Sequence, residues 1–130
     1  MTGAAPTSPP EKHIFLCLLA AAPLIWAGHF LLSYTTAAVW CAKFAGRDGL
    51  LRPAHVAIGW YTVFALTGIL LVAIDGYRRH GHGFEADEHG LDSPEDRRRF
   101  LGFATLLLAG LSAVATIYVA LSVYFVRQCY

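Results

Sequence analysis

Apolar and polar positions alternate along this chain in long blocks. Three apolar runs occupy residues 14–41, 54–74 and 100–126, while polar residues gather at 1–13, 43–52 and 75–99. The first run is about 28 residues long without a formal charge, and as a helix it measures ~42 Å, enough to cross a ~30 Å hydrocarbon core with some tilt. The pattern predicts an all-α integral membrane bundle of three transmembrane helices, with spans at about 14–41, 54–76 and 100–126. A disordered tail (1–12) precedes the membrane domain (13–130), and a hydrophilic loop (77–99) joins the last two spans.

Local signals set the helix ends. Pro53 suits a first turn, where its missing N–H is not needed. Ser93-Pro94-Glu95-Asp96 reads as a helix start with Ser93 as N-cap, so the third helix begins ahead of the membrane. Pro23, inside the first span, removes one backbone hydrogen bond and bends the helix. Gly59 and Gly68 are thin places where another helix could approach.

Composition narrows the class. The chain has 130 residues, 56% of them hydrophobic, and a net charge of +1, so a one-domain membrane protein is favoured and nucleic acid has no electrostatic footprint to meet. A cleavable signal peptide is disfavoured because the first run far exceeds a typical h-region of about 7–15 residues. Internal repeats are not evident, and three spans exclude an inverted-repeat transporter within one chain.

Cation placement predicts orientation. With the N-terminus inside, Lys12, Arg78, Arg79, Arg97, Arg98 and Arg99 lie on the cytoplasmic side, against Lys43, Arg47, Arg52 and Arg127 outside. The expectation is therefore N-terminus in, C-terminus out and a cytoplasmic 77–99 loop, in a bacterial inner membrane. Cys41 and Cys129 then share the outer face. Two unrelated free thiols are the first reading, and a disulfide is open in an oxidising periplasm, since connectivity cannot be read from sequence. Cys17 is expected to be a small packing residue.

The first span carries a polar stripe at helical spacing: Ala22, Trp26, His29, Ser33, Thr36 and Trp40. Such groups face protein rather than lipid, which makes Trp26, His29, Ser33, Thr36 and Trp40 a packing or partner stripe. His29 lies ~22 Å from the inner end of its helix, and the same arithmetic brings Thr62 and Thr116 near its level. A neutral imidazole bonded to a threonine hydroxyl is the leading reading; a proton relay, a partner contact or a haem ligand are the others. His55 differs from His29 in depth by ~15 Å, which disfavours one haem held between them. Thr105, Ala109, Ser112, Thr116 and Ala120 form a small-and-hydroxyl face on the third span, suited to close packing and interhelical hydrogen bonds.

Other features have simpler explanations. His80, His82, Glu85, Asp87, Glu88 and His89 match no metal-site spacing, and Gly81, Gly83 and Gly90 favour a solvated loop. Asp75 can pair with Arg78 or Arg79. Trp40, Trp60, Tyr61, Tyr77, Tyr118, Tyr124 and Tyr130 fit interfacial anchors. No catalytic residue and no metal site is expected, and the chain is not read as an enzyme.

The motif Pro23-x-x-Trp26-x-x-His29-Phe30-x-x-x-Tyr34, closing at Cys41, resembles that of small uncharacterised three-pass bacterial membrane proteins found alongside haem-copper terminal oxidases. The resemblance covers mainly the first span and implies a respiratory setting without implying a reaction. The chain is also similar in length and span number to the membrane anchors of succinate dehydrogenase. Those anchors show a Ser-Pro-His start and an Arg-His pair with a following Asp in the second span. Here Ser8-Pro9 is followed by Pro10, and Arg52-Pro53-Ala54-His55 stands in place of the pair, which counts against carrying over haem or quinone binding. The function expected is a non-catalytic accessory or assembly subunit of a respiratory membrane complex, a haem-copper terminal oxidase by resemblance, in contact with lipid and other membrane subunits. The alternative is a haem b or quinone-binding anchor in electron transfer.

Overall fold

A computed structural model describes residues 9–44, 51–81, 94–126 and 129. Three helices account for nearly all of them: α1 (Pro9–Lys43), α2 (Arg52–Gly81) and α3 (Pro94–Phe125). They run up, down and up, and each packs against both others, α2 and α3 most extensively. All three are long and apolar enough to cross a membrane. The chain is a multi-pass membrane bundle.

Side-chain size is distributed inside out. The core layer is Ala22, Ile69 and Ala109, with Ile25, Val72, Ala73 and Ala113 packed around it. Leu24, Phe64, Leu71, Phe100 and Leu111 instead stand more than 60% exposed. In water such a surface would be one large aggregation-prone patch. In lipid the arrangement is favourable, because small residues let backbones approach while large ones meet acyl chains.

The helix starts follow the local chemistry. Pro94 is the first residue of α3 and Pro53 lies in the first turn of α2. α1 continues through Pro23, leaving the Leu19 carbonyl without its usual donor. Two boundaries differ from expectation. α1 begins at Pro9, inside the 1–12 segment read as a tail, and α2 continues past residue 76 to Gly81. Both extensions are polar turns that continue an established helix at one hydrogen bond per residue, which hydropathy alone does not register. Most of the 77–99 loop, including His82, Glu85, Asp87, Glu88 and His89, lies outside the described residues, as do Ser93 and the side chain of His80.

The third-span stripe is confirmed as an inner face: Thr105, Ala109, Ser112 and Thr116 are all buried. Its hydroxyls are used differently from expectation. Thr105 donates to the Leu101 carbonyl at 2.7 Å and Thr116 to Ser112 at 2.8 Å, so both serve their own helix rather than a neighbour. Close approach between α2 and α3 is made instead at Gly76, where an added Cβ would stand 3.2 Å from Thr105 Cγ2 and 3.3 Å from the Gly102 carbonyl oxygen. At Gly68 the neighbour is the tip of Ile25, at 3.2 Å. Gly59 is corrected: nothing lies within 4 Å of its missing Cβ, so no helix uses that thin place.

Candidate functional site

Helical spacing alone turns the α1 stripe inward. Ala22, His29 and Ser33 are buried, and Trp26, Thr36 and Trp40 are half-buried. Next to it, Trp26, Phe30 and Tyr34 stack in sequence along the helix, with centroids 6.4 and 6.3 Å apart. Phe30 and Tyr34 face outward.

His29 is 3% exposed and its Nε2 lies 3.0 Å from Thr62 Oγ1. Hydrogen accounting fixes the direction. Thr62 has one hydroxyl hydrogen, and it donates that to the Ile58 carbonyl at 2.8 Å. The threonine oxygen must therefore accept, and His29 Nε2–H donates. Ser33 Oγ, 3.4 Å from the same nitrogen, takes a longer share. In the neutral ring Nδ1 is then an acceptor. Among the described residues neither Nδ1 nor the buried Trp26 indole N–H has a hydrogen-bond partner.

At the cystine end the three helices are tied together. Cys41, near the end of α1, is bonded to Cys129, with Cα atoms 5.6 Å apart. This replaces the reading of two unrelated thiols. An up-down-up bundle brings the ends of α1 and α3 to one side, which sequence spacing alone does not reveal. His55 donates from Nε2 to the Val123 carbonyl at 3.0 Å and to Val126 at 3.2 Å, capping the end of α3. Cys17 is exposed, not packed inside.

Pairing with Thr62 also corrects the depth of His29. Thr62 is seven residues from His55 along α2, so the two imidazoles differ in level by about 10 Å rather than ~15 Å. In this arrangement both Nε2 atoms are hydrogen-bonded, His29 to Thr62 and His55 to the Val123 and Val126 carbonyls. Among the described residues no group of three His, Cys, Asp or Glu side chains converges as a metal site.

A cleft of about 330 Å³ opens between α2 and α3, missed by sequence reasoning. His55, Ile58, Gly59 and Thr62 line one side, and Ile117, Ala120, Leu121, Val123 and Tyr124 the other. It is mainly apolar, with His55 toward one end and Thr62 toward the other. Gly59 was its only legible signal: a side chain there would project into the opening. Comparison with protein-family models, curated proteins and solved structures finds no match in any of the three.

Proposed function

We propose that this protein is a non-catalytic accessory or assembly subunit of a respiratory membrane complex; its first-span motif resembles that of small proteins found alongside haem-copper terminal oxidases, which makes such an oxidase the complex to test. The supporting observation is how His29 is used. The deep imidazole is spent on Thr62 and Ser33, which rigidifies the bundle and offers no reactive nitrogen at an open surface. The outward Phe30 and Tyr34 rings beside it suit contact with another membrane helix.

The protein sits in a bacterial inner membrane with its N-terminus in the cytoplasm. The Cys41–Cys129 bond belongs in an oxidising compartment, so it supports the same orientation as the cation count. Purification in mild detergent, with identification of co-purifying subunits, tests the reading. Oxidase subunits are expected; recovery of self-assemblies alone overturns it.

A second reading, a quinone-binding anchor, is favoured by one observation. The α2–α3 cleft lies within the size range of small-ligand pockets and has few, placed polar groups.

A further inference from the structure

We propose that the α2–α3 cleft binds an anionic phospholipid, with one acyl chain lying along Gly59 and the phosphate held at the cystine end by Arg52. The inference goes beyond the accessory-subunit reading, and it gives the cleft an occupant other than the quinone of the second reading.

Position is the first argument. His55, at one end of the cleft, is the fourth residue of α2 and lies at the start of its span. Thr62, at the other end, is seven residues further in, about 10 Å along the axis. One leaflet contributes ~15 Å of a ~30 Å hydrocarbon core. The cleft therefore begins at headgroup level and follows α2 through most of a leaflet, which is the course of an acyl chain.

The walls suit hydrocarbon. Away from the mouth they are Ile58 and Gly59 on α2 and Ile117, Ala120 and Leu121 on α3. Open space where the Gly59 side chain would be lets a chain lie against the α2 backbone. The deep hydroxyl, on Thr62, is already used within the protein: it donates to the Ile58 carbonyl and accepts from His29. That end needs no polar group from a ligand.

Charge selects the headgroup. Arg52 is exposed and stands one turn nearer the bilayer surface than His55 on the same side of α2. Its stem can cover apolar surface at the mouth while the guanidinium stays at phosphate level. Tyr124, whose ring lies 6.3 Å from that of His55, brings a hydroxyl to the same end. Among the described residues at this end none is acidic. The segments 42–53 and 126–130 carry Lys43, Arg47, Arg52 and Arg127 against a single acidic side chain, Asp48. A headgroup of net negative charge gains from that surplus, whereas choline would bring a second cation beside Arg52.

The test uses the full chain in phosphatidylcholine nanodiscs doped with a minor fraction of phosphatidylglycerol that carries a photoactivatable diazirine in one acyl chain. The matched control carries the same chain on phosphatidylcholine. Cross-linked residues are located by peptide mass spectrometry, and helicity and the Cys41–Cys129 bond are verified for every variant. Cross-links are expected to concentrate on Ile117 and Leu121 rather than on outward residues such as Leu32 and Val63. Phosphatidylglycerol should lead the control about fivefold, the scale of one arginine beside an anionic headgroup. Arg52→Gln brings phosphatidylglycerol down to the control, and Arg52→Lys keeps most of the preference. Gly59→Leu, which fills the cleft without touching a neighbour, removes the cleft cross-links from both lipids. Equal yields from the two lipids, a preference that survives Arg52→Gln, or cross-links spread evenly over the outward faces overturn the inference. So does a cleft that takes neither lipid, whether an alkyl benzoquinone or a partner subunit's helix proves to occupy it instead.

Discussion

His29 on α1 and Thr62 on α2 are joined at 3.0 Å, and the bond runs one way, from imidazole N–H to a hydroxyl oxygen whose hydrogen already serves Ile58. The two partners are therefore unequal. Removing the imidazole leaves Thr62 satisfied by its own helix. Removing the hydroxyl leaves a buried N–H with only the 3.4 Å contact to Ser33. Thr62→Val is expected to cost about 1–2 kcal/mol and His29→Leu less, since such bonds contribute about 0.6 kcal/mol on average within membranes and stranded donors cost more. The double variant should recover part of the Thr62→Val loss. Reversible unfolding in bicelles, run as a double-mutant cycle, checks the order.

The cystine makes a separate claim. Cys41 and Cys129 are 88 residues apart in sequence. Intact mass should rise by two hydrogens on reduction, and a membrane-impermeant maleimide added outside spheroplasts should then label both thiols. Labelling only after lysis would reverse the proposed orientation. Breaking the bond should destabilise by less than the ~2–4 kcal/mol typical of soluble proteins, because inserted helices have little chain entropy to regain. Cys41→Ser, Cys129→Ser and the double variant should be equivalent in thermal unfolding.

The fold was legible because each span carries its own signal: unbroken apolar sequence of bilayer length. The His29–Thr62 pair was legible too, since antiparallel helices sharing one slab convert residue counts into depth. Rotation about each helix axis was not. Gly59 and Gly68 look alike in sequence, yet only Gly68 has a neighbouring helix in contact with its missing Cβ, while Gly59 opens onto the cleft. The hydroxyls of Thr105 and Thr116 could have bonded across or back, and local geometry sent them back. The cleft beside Gly59 is a property of two packed faces, so no single stretch encodes it.

Glycines separate rigid from yielding contacts. A side chain at Gly76 meets the Gly102 backbone oxygen and the β-branched Thr105, neither of which can swing away. Gly76→Val should therefore cost about 1–3 kcal/mol, the usual range for overpacking. At Gly68 the obstacle is the Cδ1 tip of Ile25, which can change rotamer, and at Gly59 there is none. Gly68→Ala should fall near neutrality. Gly59→Ala should gain up to about 1 kcal/mol from helix propensity. Thermal midpoints of the three variants in one detergent rank them directly.

Trp26 offers the last test, because its indole N–H is buried without a partner among the described residues while its ring stacks on Phe30. Phenylalanine keeps an aromatic face and removes the stranded donor. Trp26→Phe should therefore shift stability by less than ~1 kcal/mol in either direction, since lost ring area and relieved desolvation oppose each other. Trp26→Ala, which loses the stack as well, should cost more than Trp26→Phe by about 0.5–1.5 kcal/mol or more, the scale of an aromatic pair. A Trp26→Phe penalty as large as that of Thr62→Val would mean that the indole N–H is hydrogen-bonded in the membrane. Comparing the penalty in purified protein with that in native membranes would then assign the acceptor. A cost seen only in native membranes identifies a neighbouring subunit, and a cost seen in both identifies a group held by this bundle alone.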